Sequence, residues 1–315
     1  MGQKMSVAIL GLGNIAQKAY LPVLSADESI DLIFYNRSED RLKATQARYR
    51  VENGTTSLAW VIESKPNAAF VLTSSPSHFE IVKQLIENDI DVFVEKPATL
   101  HSWETNELAA LADRKGRILM VGFNRRFSPL HVQAKHAWGD APISMGIFRK
   151  CRTSAGYPNL RSQFVEDTIH QIDALRFYCG EGHPVGVTQQ VVSDRVLSAV
   201  GTVQLDTGGV GMIETAMGTG RWQENYAVFG AGQTLEVDAF WQVTLSRGSE
   251  QQFWNETYAS TWQTTLAGRG FVSEMEHFFE CVKTRQSPLT DAWDSVKTQI
   301  LLEEMIDLSE KDRSG

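Results

Sequence analysis

Over its first 122 residues the chain alternates short apolar runs with polar stretches of helical spacing, and that rhythm leaves few folds open. The apolar runs are Val7 to Leu10, Ile30 to Tyr35, Ala68 to Leu72, Val92 to Val94 and Ile118 to Gly122. Between them lie Ala16 to Leu24, Arg41 to Tyr49, Phe79 to Glu87 and Glu104 to Asp113, each with apolar residues on one helical face. Runs that are apolar throughout belong to strands covered on both sides. Such strands, separated by roughly 10 to 15 residues of helix, imply right-handed βαβ crossovers and a doubly wound parallel α/β sheet.

After Gly122 the rhythm changes. One helix is expected over about Phe164 to Cys179, followed by β-branched, glycine-punctuated segments at Val191 to Asp194, Thr202 to Leu205, Gly211 to Thr215, Tyr226 to Phe229 and Val243 to Ser246. Short turns such as Thr207-Gly208-Gly209 predict hairpins, hence a large open antiparallel sheet in a second α/β domain. Two helices, Phe271 to Thr284 and Ala292 to Leu308, close the chain. At 315 residues two domains are expected, 1–122 and 123–315, with the closing helices at about 271–310 packing back onto the first. No linker-like or repeated segment separates them.

Thirty Lys and Arg stand against 38 Asp and Glu, a net charge of -8, which is the wrong sign for a nucleic-acid binder. Residues 1–125 carry 14 basic and 15 acidic side chains, so the acidity sits in the remainder, and a small anionic ligand meets less repulsion in the first part. No apolar run approaches the roughly 18 residues of a membrane span. Met1 to Ser6 has no apolar signal core behind it, and Cys151, Cys179 and Cys281 lack paired spacing, so a cytoplasmic protein with free thiols is expected.

Gly11-Leu12-Gly13-Asn14-Ile15-Ala16 follows the first predicted strand and opens the first helix. In this position the glycines allow a tight turn and the close approach of backbone amides to a pyrophosphate, which rests on the positive helix end. Gly11, Gly13, Asn14 and Ile15 are therefore expected to bind a dinucleotide. The second strand ends at Asn36-Arg37-Ser38, where an NAD site usually offers an acid to the ribose hydroxyls. Asn36 and Ser38 can bond a 2′-phosphate and Arg37 can neutralise it, which favours NADP over NAD. Ser38 also reads as a plain helix cap ahead of Glu39 and Asp40.

Thr73-Ser74-Ser75-Pro76-Ser77-His78 and Glu95-Lys96-Pro97 follow later strands, whose carboxyl ends face the ligand crevice of an open α/β sheet. Ser74, Ser75, Pro76, His78, Glu95 and Lys96 are accordingly expected at the cofactor. Lys96 read alone is a surface lysine paired with Glu95. Beside a nicotinamide cation and partly desolvated, it is instead suited to general acid/base work.

These segments, with Gly122-Phe123-Asn124-Arg125-Arg126-Phe127, His170-x-x-Asp173, the run from Ser260 to Leu266 and Arg269-Gly270-Phe271, resemble the Gfo/Idh/MocA family of NAD(P)-dependent oxidoreductases, and its MviM-like subgroup in particular. The resemblance implies a Rossmann domain followed by an α/β domain whose open sheet commonly makes a homodimer or homotetramer. It implies that Lys96 is the catalytic lysine, with a Lys-Pro bond that is often cis, and that His170 is the second catalytic element. It places an acid four residues earlier, at Glu166, where the family more often has Asp; Asp167 follows. On a regular helix Glu166 and His170 share a face, as do His170 and Asp173, so a carboxylate can orient the imidazole. An isolated HxxD otherwise reads as a helix-surface histidine. No second His cluster completes a metal site, and none is expected.

Asn124 and Arg125 are expected to reach the cofactor or the domain interface; Trp262 and Arg269 lie where the same subgroup brings a late loop back toward the cleft and the cofactor, with packing and surface charge as their plain alternatives; and Asp173 and Arg152 of the second domain are expected at the substrate hydroxyls. The resulting expectation is hydride transfer between nicotinamide C4 and a secondary alcohol or carbonyl carbon of a sugar, polyol or related small molecule. The alternative is a non-catalytic NADP sensor on the same fold.

Overall fold

The structure, a computed structural model, describes residues 4–255 and 264–312. The chain divides into two compact units, Met1–Phe123 with Phe271–Val296, and Asn124–Gly270 with Lys297–Gly315.

The first unit is a six-stranded parallel sheet: β1 (Met5–Leu10), β2 (Ile30–Tyr35), β3 (Gly54–Thr55), β4 (Ala68–Val71), β5 (Asp91–Glu95) and β6 (Leu119–Gly122), in the order β3-β2-β1-β4-β5-β6. Val7 to Leu10 and Ala68 to Val71 are wholly inaccessible, which is why these strands read as unbroken apolar runs. A π-helical turn, Ala16–Tyr20, leads into α1 (Leu21–Leu24). The helices α2 (Glu39–Tyr49), α3 (Leu58–Glu63), α4 (His78–Glu87) and α5 (Ser102–Lys115) connect the later strands. β3 and α3 were not foreseen; β3 is two residues long and too short for a hydrophobic signature.

The second unit contains α6 (Pro129–Trp138), β7 (Met145–Cys151), α7 (Leu160–Gln163) and α8 (Ile169–Cys179). It continues with β8 (Gly182–Val192), β9 (Arg195–Leu205), β10 (Val210–Ala216), β11 (Gln223–Gly230), β12 (Gln233–Asp238), β13 (Gln242–Arg247), β14 (Glu250–Asn255) and α9 (Thr265–Gly268). The eight strands form one sheet, β14-β13-β12-β11-β7-β10-β9-β8, antiparallel except for the β7 and β10 pair, which runs parallel. Val191 to Asp194, expected as a strand, instead contains the β8–β9 turn, with Ser193 and Asp194 both at positive φ. Helix α10 (Phe271–Thr284) lies in the first unit, where Phe278 packs on Phe70 and Phe93. Helix α11 (Ala292–Asp312) begins in the first unit and continues into the second. Among the described residues no helix is long and apolar enough to cross a membrane.

Candidate functional site

All strands of the first sheet run the same way, so the loops after β1, β2, β4 and β5 emerge at one edge. The first three line a cleft of about 650 Å³ bounded by Gly11, Gly13, Asn14 and Ile15, by Asn36, Arg37 and Ser38, and by Thr73, Ser74 and Ser77. Gly11 has φ +94°, and a Cβ there would stand 2.7–2.8 Å from the backbone of Leu72 and Thr73. Only glycine fits. Gly13 is different: a Cβ there meets nothing within 4 Å, so it faces open cleft. Amides in the first turn of a helix have no acceptor within that helix. With these amides beyond it, the space fits a pyrophosphate.

The contrast between the two glycines is testable. Gly11→Ala is expected to cost about 1–3 kcal/mol of unfolding free energy through strain and backbone displacement. Gly13→Val should leave stability within about 0.5 kcal/mol and lower dinucleotide affinity. Denaturant unfolding and nucleotide fluorescence read the two separately.

At the tip of β2 the side chain of Asn36 accepts from Leu12 N (3.3 Å) and donates to the Ser38 carbonyl (3.1 Å), tying the glycine loop to this strand. Ser38 caps α2 by accepting from Arg41 N. Arg37 and Arg41 are exposed on the cleft wall, while the first acid, Glu39, is paired with Lys43 at 2.7 Å. Arg41 was missed. It lies four residues after Arg37, one helical turn on, and that spacing was the available signal.

After β4, Ser75–Ser77 form a short 3-10 turn that includes Pro76. His78 does not line the cleft. It is 1% exposed, with Nδ1 2.9 Å from the Pro97 carbonyl and Nε2 3.0 Å from the Thr73 carbonyl, so it staples the loops after β4 and β5 together. Burial holds its pKa below the usual histidine value, against the pull of those carbonyls. Glu95 is likewise a brace: Oε1 accepts from Tyr20 OH (2.7 Å) and Oε2 from Lys96 N (2.9 Å). Lys96 is half-buried at the end of β5, and the Lys96–Pro97 bond is cis.

In the second unit His170 is buried near the start of α8, and its Nε2 lies 3.2 Å from Arg125 Nη1. A guanidinium only donates, so Nε2 accepts and the ring proton of the neutral form sits on Nδ1. Glu166 and His170 do not lie on one regular helix: Phe164–Thr168 is a π-turn, in which Glu166 is exposed and Asp167 is turned wholly inward. Asp167 is committed to Lys150 Nζ (2.9 Å), Arg152 Nε (2.6 Å) and Tyr157 OH (2.8 Å). Burial would raise its pKa, but Lys150 and Arg152 hold it below the ordinary carboxylate value.

Asp173, expected at the substrate, instead takes Arg126 in a two-pronged bond (2.6 and 3.0 Å) and the Thr298 hydroxyl, and is 1% exposed. Its role is structural. Arg125 is clamped on Glu224 (2.8 and 2.9 Å) and bonds Asn124 Oδ1, while Asn124 Nδ2 donates to the Arg269 carbonyl. These bonds occupy both residues within the unit. Arg152 keeps 40% of its side chain exposed. The Arg269 guanidinium lies over the rings of Trp222 (5.4 Å) and Phe240 (5.1 Å), and Trp262 lies outside the described residues.

Lys150 and Glu224 were not anticipated, although each occupies the inward phase of its strand, with Gly146 and Phe148 or with Tyr226 and Val228. A charge in the buried phase was the signal. Among the described residues no group of three or more His, Cys, Asp and Glu side chains is placed to hold a metal ion.

Residues 5–123 match the model of an oxidoreductase family with an NAD-binding Rossmann fold. The chain is 29% identical over 310 residues to the provisionally named oxidoreductase YceM of Salmonella typhimurium, covering 95% of this chain and 96% of that protein. It is 24% identical to the myo-inositol 2-dehydrogenase of Thermotoga maritima, covering 95% and 94%. The dehydrogenase MviM from Clostridium difficile has the same fold, with a TM-score of 0.86 at 23% identity over 96% of this chain and 99% of that one. The glycine cleft, the lysine loop beyond β5 and these likenesses agree: residues 5–123 match the Gfo/Idh/MocA oxidoreductase model with its NAD-binding Rossmann fold, and the chain as a whole is similar to oxidoreductases over almost its full length.

Proposed function

We propose that this oxidoreductase transfers hydride between nicotinamide C4 and a secondary alcohol or carbonyl carbon of a sugar, polyol or related small molecule. One observation carries the reading: the glycine loop and Lys96 both follow parallel strands at the same sheet edge. The relative named as a myo-inositol 2-dehydrogenase supports a polyol substrate class. A bound dinucleotide supplies the hydride donor or acceptor. Lys96 takes the hydroxyl proton as the hydride leaves and returns it in reverse, and His170 is assigned the second proton-handling role. A panel of sugars, polyols and hydroxy acids at saturating cofactor tests the reading, which fails if none changes the redox state of the nicotinamide. A sensor without catalysis finds no support, since the named relatives are enzymes.

NADP is the preferred cofactor in this reading. Arg37 and Arg41 stand where a 2′-phosphate would lie, and no acid lines the cleft at the tip of β2. Arg37→Ala is expected to weaken NADPH binding about tenfold and leave NADH binding unchanged. Equal affinity of the native protein for NADH and NADPH overturns the preference. A cytoplasmic homo-oligomer is proposed through the open face of the eight-stranded sheet, where Val200 and Val210 are exposed; size-exclusion chromatography with light scattering checks it.

A further inference from the structure

The other buried or half-buried arginines of the second unit are paired with carboxylates: Arg125 on Glu224, Arg126 on Asp173, Arg152 on Asp167 and Arg176 on Glu181. Arg269 departs from this. Its guanidinium is half-buried beside Trp222 and Phe240, whose stacked rings have centroids 6.5 Å apart, and among the described residues no carboxylate lies within ion-pair distance of it. Among charged neighbours Arg125 acts on it more strongly than Glu224, which pulls the other way. Arg125 sits over the same Phe240 ring at 5.7 Å, and burial together with Arg125 pulls the Arg269 pKa below its ordinary value.

Glu224 cannot answer for both. Each of its oxygens already accepts from Arg125, Tyr226 OH donates to Oε1, and Lys150 Nζ stands 4.0 Å from Oε2. Around Arg269, Arg125, Lys150 and Arg152 the buried carboxylates are Glu224 and Asp167. A half-buried cation beside another cation is costly, and an aliphatic or amide side chain would pack against the two rings without that cost.

The backbone beneath Arg269 is also fixed. Asn124 Nδ2 donates to its carbonyl at 2.8 Å, Ser128 Oγ donates to the Gly268 carbonyl at 2.7 Å, and Gly270, at φ +86°, is pressed so closely on the 124–128 turn that no Cβ fits. The cation–π faces on Trp222 and Phe240 hold the guanidinium plane as well. This charge is held in advance, and among the described residues no carboxylate is paired with it.

We propose that Arg269, flanked by Arg125, forms an anion subsite that takes a carboxylate or phosphate group of the substrate, so that the physiological substrate is an acidic sugar or polyol. This rests on the oxidoreductase reading above. The planar guanidinium presents paired N–H donors that match either group.

The test is calorimetric titration of the full-length chain, with and without NADP+, using D-gluconate, D-glucuronate and D-glucose 6-phosphate against neutral D-glucose and myo-inositol. At least one acid is expected to bind about tenfold or more tightly than either neutral compound, and to weaken when salt is raised from about 0.05 to about 0.5 M. Whichever acid binds most tightly identifies the group as carboxylate or phosphate. Arg269→Met should reduce the ratio of acid to neutral affinity about tenfold, with Arg269→Lys intermediate. The salt dependence of the native protein keeps the test decisive if the Met variant does not fold. Neutral sugars binding as tightly as the acids, equal loss of both in Arg269→Met, or no binding of any acid overturns the proposal. Binding needs no turnover, so failure of the oxidoreductase reading shows separately, as an acid that binds while the nicotinamide stays unreacted.

Discussion

Replacing Lys96 by alanine is expected to lower kcat about 10²- to 10⁴-fold, the range that a positioned general acid or base contributes, while dinucleotide affinity stays within about twofold. The separation follows from how the loop is held. The Lys96 amide is fixed by Glu95 Oε2, Glu95 by Tyr20, and the Pro97 carbonyl by His78. Each of these bonds survives removal of the lysine side chain. Tyr20 is itself locked by burial and edge-on contacts with Phe93 and Phe271, and burial with the adjoining Glu95 holds its hydroxyl protonated well above the ordinary tyrosine range. The brace is thus a hydroxyl donating to a carboxylate at any pH of interest. Lys96→Arg keeps the charge but cannot release its proton near neutrality, and is expected to recover little of the rate. Steady-state kinetics on a substrate identified in the panel, beside NADPH fluorescence titration, checks both variants; full turnover by Lys96→Ala removes the residue from the chemistry.

The parts of this molecule that were legible beforehand are those whose cause is local. Val7 to Leu10 and Ala68 to Val71 are covered on both faces, so their burial is written as unbroken apolar runs. Gly11 was readable because a positive φ against the Leu72–Thr73 backbone admits no other residue. What was misread depends on bonds between distant segments. The π-turn at Phe164–Thr168 is signalled by no spacing rule, and within it Asp167 turns inward to Lys150, Arg152 and Tyr157. Asp173 and His78 were read as ligand-facing polar residues, yet each satisfies buried partners far along the chain, Arg126 in one case and the Thr73 and Pro97 carbonyls in the other. The parallel pairing of β7 with β10 is similarly non-local. The contact of Trp222 with the Arg269 guanidinium likewise joins segments far apart in the chain.

Glu224→Gln is expected to cost about 3–5 kcal/mol of unfolding free energy, because breaking a buried ion network from one side strands the charges on the other. The glutamine keeps the shape and can still accept a hydrogen bond, so the loss reports charge. Arg125, 12% exposed, would lose its carboxylate, and Lys150, 1% exposed, would lose the farther of its two, at 4.0 Å against 2.9 Å for Asp167. Burial alone would raise the pKa of Glu224, but Arg125, with Lys150 and Tyr226, overcomes it and holds the carboxyl far below the usual range. A carboxylate depressed on folding contributes stability above its unfolded pKa and loses it as pH falls through the folded value. The gap between native protein and variant should therefore be full at neutral pH and narrow as pH falls below the ordinary value of 4.5. On the alkaline side Lys150 adds a slope of the same sign: burial lowers it from 10.5 to about 8 against the pull of Glu224 and Asp167, so the unfolded chain holds a proton that the folded chain has released. Stability should rise with pH between those values, and the rise should begin lower in Glu224→Gln, where an opposing carboxylate is gone. Denaturant unfolding of both proteins from pH 3 to about 10 measures each slope; a loss under about 1 kcal/mol, or a gap that does not change with pH, would show that the network carries no net stabilising charge.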